Sequence, residues 1–493
     1  MDISAWIDRH AGFDEKRPAI FFEGRWSSYG EFRERILATA RFLKHERGVS
    51  RGDRVAFLGF NHPDMLALLF ACARLGAMLV PLNWRLAERE LAFVLADSGA
   101  RVLMHTDGYA EMAAALARPG LAVDALAAIG AEEGGASLDD SNPHVDLTCP
   151  LLLVYTSGTT GRPKGAVLRQ DTIFWNALNS RHMHDLCARD RVLTVLPMFH
   201  VGGLNIQTLP ALYVGGSVIL HDRFDADAAF DAMERLQPTL TVQVPATMQA
   251  LIGHARWAGA DLSCFRMIAC GSSVIPERLL AAFIERGIPP VQVYGSTETG
   301  PVAVYQTPDD AMRKPGSAGK AALHCEMRIV DEQGRDVAKG AAGEVWLRGG
   351  NVMWEYWRHE EATREALVEG WFRTGDIGRL DEEGDLRIVD RAKDLVISGG
   401  ENIYPAEIEL VLQESPFIRE AAVVGRVDPR WGEVPVAFIV AEKDGLGEEA
   451  VRDHLRASLA SFKHPKEIYF IDSMPRNVMG KLQKFLLRQR VNQ

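Results

Sequence analysis
The chain has 493 residues, a net charge of −11, and 47% hydrophobic and 25% charged residues. That length exceeds what one hydrophobic core supports, so roughly two to four domains are expected. The acidic balance argues against bulk nucleic-acid binding, which needs Lys and Arg to neutralise phosphates.

No run approaches the ~18 apolar residues of a membrane span. The start, MDISAWIDRHAGFDEKRP, has neither the basic nor the apolar region of a secretory signal. Six cysteines are scattered without CxxC or zinc-type spacing, and the end, RVNQ, carries no peroxisomal address. The expected setting is the cytoplasm, with reduced thiols.

The elements then follow in order. RVAFLGF (54–60), MLVPLN and RVLMHT read as strands, separated by the helices HPDMLALLFACARLGA and ERELAFVLADSG. Such alternation implies a parallel sheet with helices on both faces. From about Ala113 to Asp146 the chain is rich in Ala, Gly and Asp and reads as connecting structure. RVLTVLP, GSVILHD, LTVQVP, FRMIACG and VQVYGS, with helices DADAAFDAMERLQ and PERLLAAFIERG, predict a second doubly wound sheet. From about Gly319, MRIVDEQGRDV, GEVWLRGG and DIGRLDEEGDLRIVD read as hairpins of a β-rich subdomain. After Arg391 comes an α+β unit. PAEIELVLQES has Pro405 at a helix N1 position, AAVVG, VPVAFIVAE and EIYFID are strands, and EEAVRDHLRASLASFK is a helix. The expected fold is therefore α/β, with a large domain over 1–390 and a small, mobile α+β domain over 391–493.

The first chemical signal is YTSGTTGRPKG (155–165), behind the buried run LLLVY. It is not a Walker A loop, because Lys164 stands between Pro163 and Gly165 and no Mg²⁺-binding hydroxyl follows it. Its parts are nevertheless those of an anion cradle. Gly158 and Gly161 let backbone N–H groups converge, Thr156, Ser157, Thr159 and Thr160 add hydroxyls, and Lys164 adds a charge. Further on, PMFHVGG (197–203) and CGSSVIP (270–276) each follow a predicted strand and VQVYGSTETG (291–300) runs out of one, and strand ends are where open α/β sheets bind ligands. Glu298, a carboxylate beside hydroxyls, suits Mg²⁺.

These motifs, with WFRTGD (371–376), DRAKDLVISGGENIYPAEIE (390–409) and PRNVMGKLQK (475–484), resemble in content and order those of the adenylate-forming superfamily. That group holds acyl- and aryl-CoA synthetases, luciferases and adenylation domains. Bacterial fatty-acyl and feruloyl/4-coumarate-type ligases are the most similar members, and the likeness runs along essentially the whole chain.

The resemblance implies an ATP-dependent acid–CoA ligase. A carboxylate attacks the α-phosphate of ATP, pyrophosphate leaves, and the thiol of coenzyme A then takes the acyl group. It implies that Thr156 to Gly161 and Lys164 hold the β- and γ-phosphates, and that Glu298 binds Mg²⁺. Thr297 would contact the α-phosphate, Tyr294, followed by Gly295, would stack on adenine, and Asp376 and Arg391 would bind the ribose. Lys393 would be the hinge, Gly399 and Gly400 would line the pantetheine tunnel, and Lys481 would neutralise charge during adenylation. Ser272 falls at the adenine pocket. The acid would be bordered by His200, Val201, Gly202, Gly203, Gly271, Ser273, Gly300, Pro301 and Val302. These residues are mostly small and include no Lys or Arg, which favours an aromatic ring or a medium-length acyl chain and disfavours a dicarboxylate such as malonate. The alternative reading is a stand-alone adenylation domain that loads a separate carrier protein.

Overall fold
The computed structural model describes residues 1–130, 139–156, 163–271, 275–391, 394–398, 401–429, 431–442, 445–459, 461–476 and 482–492. The chain forms two compact units, one of residues 1–327 and 347–372, the other of residues 328–346 and 373–493.

The first unit contains both predicted doubly wound sheets. In the seven-stranded sheet the order is Glu355–Tyr356, Lys164–Arg169, Pro150–Thr156, Met78–Pro81, Arg54–Leu58, Val102–His105 and Ala122–Ala125. The last five run parallel, while Lys164–Arg169 and Glu355–Tyr356 are antiparallel additions. Side chains alternate between its faces. Val55 and Phe57 join one buried cluster, and Ala56 and Leu58 join another beneath Leu91, Val94 and Leu95 of helix Glu88–Ser98. Helix Pro63–Leu75 is buried from Met65 to Leu75 except at Arg74, which explains its nearly unbroken apolar sequence. His62 caps its start and Gly76, at φ 71°, ends it in the left-handed conformation. The stretch read as connecting structure differs from that expectation, because Ala122–Ala125 supplies an edge strand.

In the nine-stranded sheet the order is Lys320–Ala321, Val304–Tyr305, Pro290–Tyr294, Met267–Cys270, Leu240–Gln243, Arg191–Thr194, Ser217–Leu220, Pro18–Phe22 and Arg25–Ser28. Pro290–Tyr294 through Pro18–Phe22 are parallel. Their carboxyl ends therefore deliver the following loops to one edge.

In the second unit, Trp371–Leu380 and Leu386–Arg391 form the predicted hairpin, and Val330 bridges Asp336 around another turn. Strands Ile418–Asp428 and Gly432–Ala441 pair over almost their whole length, with Glu467–Phe470 parallel to the second. Ala421 and Val423 face a cluster with Ile408, Leu412, Val451 and Leu455, whereas Ala422 and Val424 face Phe438, Met474 and Leu487. Helices Pro405–Gln413 and Glu448–Ser458 form as their apolar spacing predicts.

Candidate active site
The hydroxyl- and glycine-rich stretch is the connection of a β-hairpin. Strands Pro150–Thr156 and Lys164–Arg169 pair with Tyr155 opposite Gly165 and Thr156 opposite Lys164. A Walker-type loop would instead lead from a strand into a helix. Ser157, Gly158, Thr159, Thr160 and Gly161 lie outside the described residues. Lys164 opens the second strand, and its Nζ lies 5.5 Å from the centre of the Tyr356 ring.

At the carboxyl edge of the nine-stranded sheet, the structure gathers three of the predicted segments. Gly271 follows strand Met267–Cys270, Tyr294 ends strand Pro290–Tyr294, and His200 follows the loop after Arg191–Thr194. Ser272 and Ser273 are outside the described residues. His200 Nδ1 accepts a hydrogen bond from Gly202 N at 3.0 Å, capping the short helix Val201–Asn205.

Several predicted glycines have a packing explanation. A Cβ at Gly203 would strike the Leu196 and Pro197 carbonyl oxygens, one at Gly295 the Pro301 carbonyl oxygen, and one at Gly271 the Val293 carbonyl oxygen. The small size of these residues is taken up by backbone, so it does not by itself create ligand space.

Residues Thr297–Thr299 form a single 3₁₀ turn closed by Gly300 at φ 90°. Four asparagines hold this turn and its exit. Asn351 Nδ2 donates to Thr299 O at 2.6 Å, Asn205 Nδ2 to Gly300 O at 2.9 Å and Asn179 Nδ2 to Val302 O at 3.1 Å, while Asn176 Oδ1 accepts from Val302 N at 2.9 Å. All four are buried. Pro301 and Val302 are buried beside them, so Gly300–Val302 is fixed by side-chain amides from three separate segments. The sequence reading missed these asparagines. Two of them sit inside helix Gln170–His184, where Asn is a poor helix former, and that misfit was the available signal.

Glu298 is half-buried, and its Oε1 accepts a hydrogen bond from Tyr356 OH at 2.8 Å. Burial, and then the charge of Glu298, push the Tyr356 phenol above its ordinary pKa. Among the described residues Ser296 Oγ, two positions before Glu298 in sequence, is buried without a hydrogen-bond partner.

In the second unit, Asp376 lies directly opposite Arg391 in the antiparallel register. Thr374 Oγ1 accepts from Asp376 N at 3.0 Å and donates to Val345 O at 2.7 Å, which fixes the part of the strand that carries the carboxylate. Lys393, Gly399, Gly400 and Lys481 lie outside the described residues.

The AMP-binding enzyme profile matches residues 7–357, and the AMP-binding enzyme C-terminal domain profile matches residues 407–481. The chain belongs to the AMP-binding enzyme family. Over its whole length it is 50% identical to indoleacetate–CoA ligase of Aromatoleum aromaticum, covering 98% of that protein. It is 42% identical to feruloyl-CoA synthase of an Amycolatopsis species over 99% of both chains. The o-succinylbenzoate CoA synthetase of Bacillus subtilis, solved with its acyl-adenylate intermediate, superimposes with a TM-score of 0.90 at 32% identity, over 99% of this chain and 98% of that one. These members of the family share the expected fold of a large N-terminal and a small C-terminal domain. Among the described residues no helix is long and apolar enough to cross a membrane.

Proposed function
We propose that this enzyme joins an aromatic carboxylic acid to coenzyme A at the expense of ATP. The observation that carries the choice of acid is the 50% identity, over the whole chain, to a ligase named for indoleacetate. The match to a feruloyl-CoA synthase supports the same class. Both relatives are CoA ligases, which favours coenzyme A over a separate carrier protein as the acceptor.

Two anions must meet in the first step, so catalysis is mainly alignment and charge neutralisation. A carboxylate oxygen attacks the α-phosphorus, the bond to the β-phosphate bridging oxygen breaks, and pyrophosphate departs. Thr156, Lys164 and the hydroxyl loop between them hold the departing end. Asp376 and Arg391 hold the ribose, Tyr294 stacks on the adenine, and Thr297 faces the α-phosphate. Lys481 neutralises charge at the attack. In the second step the thiol of coenzyme A attacks the acyl carbonyl carbon and AMP leaves. The segment from 391 onward turns about Lys393 between the steps, and Gly399 and Gly400 border the thiol's approach. His200, Gly202 and Ser273 border the acid.

The donor set fits Mg²⁺. Glu298 offers a carboxylate with hydroxyl oxygens beside it, and among the described residues no cluster of three or more His, Cys, Asp or Glu gathers as a protein-only metal cage. Mg²⁺ characteristically takes one or two carboxylates and completes its shell with phosphates and water. When bound, the ion offsets phosphate charge. The free state of all six cysteines is in keeping with a cytoplasmic setting.

The test is a panel of acids scored by acid-dependent pyrophosphate release and by thioester formation with free coenzyme A. Indoleacetate, ferulate and benzoate should outperform hexanoate and octanoate, with malonate inactive. Malonate as the best substrate, or adenylation without any thioester, would overturn the reading.

A further inference from the structure
Tyr356 lies outside every segment assigned a role above, yet it touches both charged groups of the phosphate site. Its OH donates to Glu298 Oε1 at 2.8 Å, and Lys164 Nζ stands 5.5 Å from its ring centre. Tyr356 is held from two sides. Its strand pairs with the strand that begins at Lys164, with Tyr356 opposite Ala166. Trp354 N donates to Val167 O at 2.9 Å and Trp357 N to Gly165 O at 2.7 Å. On the other side, Met353 N donates to Glu298 O at 2.7 Å and Asn351 Nδ2 to Thr299 O at 2.6 Å. Residues 351–357 thus form a bracket between the exit of the phosphate hairpin and the turn that carries the metal-binding carboxylate.

We propose that Tyr356 is a positioning residue for Glu298: its phenol fixes one carboxylate oxygen so that the other is presented to Mg²⁺. A phenol suits this task better than Lys or Arg, because a neutral donor orients the carboxylate without cancelling the charge that attracts the cation. Among the described residues Oε2 has no hydrogen-bond partner. The ring face meanwhile gives the Lys164 ammonium a resting place, a cation–π contact that the more strongly charged phosphates replace. One side chain therefore contacts both Lys164 and Glu298.

The inference rests on the assignment of Glu298 to Mg²⁺, so both are tested together. Binding of ATP is measured by calorimetry with Mg²⁺ and with EDTA for the wild type, Tyr356→Phe and Glu298→Gln. Tyr356→Phe keeps the ring beneath Lys164 and removes only the donor. It should weaken Mg²⁺-dependent ATP binding by about 10-fold, the effect typical of losing a partner of a metal ligand, and leave binding in EDTA unchanged. Its steady-state dependence on Mg²⁺ should show a raised half-saturation with kcat retained at saturating Mg²⁺. Equal weakening with and without Mg²⁺ would make Tyr356 merely structural and overturn the proposal. Wild-type behaviour of Tyr356→Phe, alongside loss of the Mg²⁺ effect in Glu298→Gln, would overturn the role of Tyr356 alone. An unchanged Mg²⁺ effect in Glu298→Gln would overturn the metal assignment itself.

Discussion

Glu298 in the first unit and Glu409 in the second are both withdrawn from solvent, and they are treated in opposite ways. Glu409 Oε1 is 2.8 Å from Lys484 Nζ, in a pair whose side chains are only 14% and 15% exposed, and the same carboxylate oxygen accepts from Val423 N at 2.6 Å. Burial works against the Lys484 ammonium, but the charges of Glu409 and Asp390 outweigh it and raise its pKa. Among the described residues the Glu298 carboxylate has a single donor, the neutral phenol of Tyr356. A carboxylate neutralised by its own protein is spent on structure, whereas one oriented but not neutralised is ready for a cation. Their chemical type is the same, and only the partners separate the two roles.

The largest expected effect lies on the structural side. Glu409→Gln leaves Lys484 charged and largely buried, and should cost about 3 kcal/mol of unfolding free energy in denaturant titration. Replacing both Glu409 and Lys484 by Met should recover most of that loss, because desolvation offsets much of the gain from a buried pair. A double variant as unstable as Glu409→Gln would show that the pair does more than satisfy itself. On the functional side, Glu298→Gln should lower kcat/KM for pyrophosphate release by about 100-fold. Its denaturation midpoint should stay close to the wild type. A large stability loss in Glu298→Gln would erase the distinction between the two carboxylates. The smallest effect is expected of Tyr356→Phe, which loses only the orientation of Glu298.

The sequence and the structure agree best where local pattern decides. Short apolar runs such as RVAFLGF and LTVQVP become parallel strands because they are buried on both faces, and the helix beginning at Pro405 starts where its N1 proline places it. Three features were less legible. The hairpin character of the phosphate stretch depends on pairing between Thr156 and Lys164. The glycines at 203, 271 and 295 owe their identity to carbonyls brought close by other strands or loops. The Tyr356–Glu298 contact joins a strand of the seven-stranded sheet to a 3₁₀ turn far away in sequence. Each depends on tertiary approach, which a periodicity of 2 or 3.6 residues does not encode. Pro18–Phe22 and Arg25–Ser28, at the far edge of the nine-stranded sheet, form a short hairpin around Glu23 and Gly24, both at positive φ, which the sequence analysis did not assign.

The central claim is that one chain performs two chemically distinct steps on an aromatic acid, with Lys481 serving only the first. Lys481→Ala should be assayed for indoleacetate-dependent pyrophosphate release, and separately for thioester formation from supplied indoleacetyl-adenylate and coenzyme A. The account predicts that pyrophosphate release is abolished while thioester formation largely survives. Survival of both half-reactions, or loss of the second alone, would contradict it.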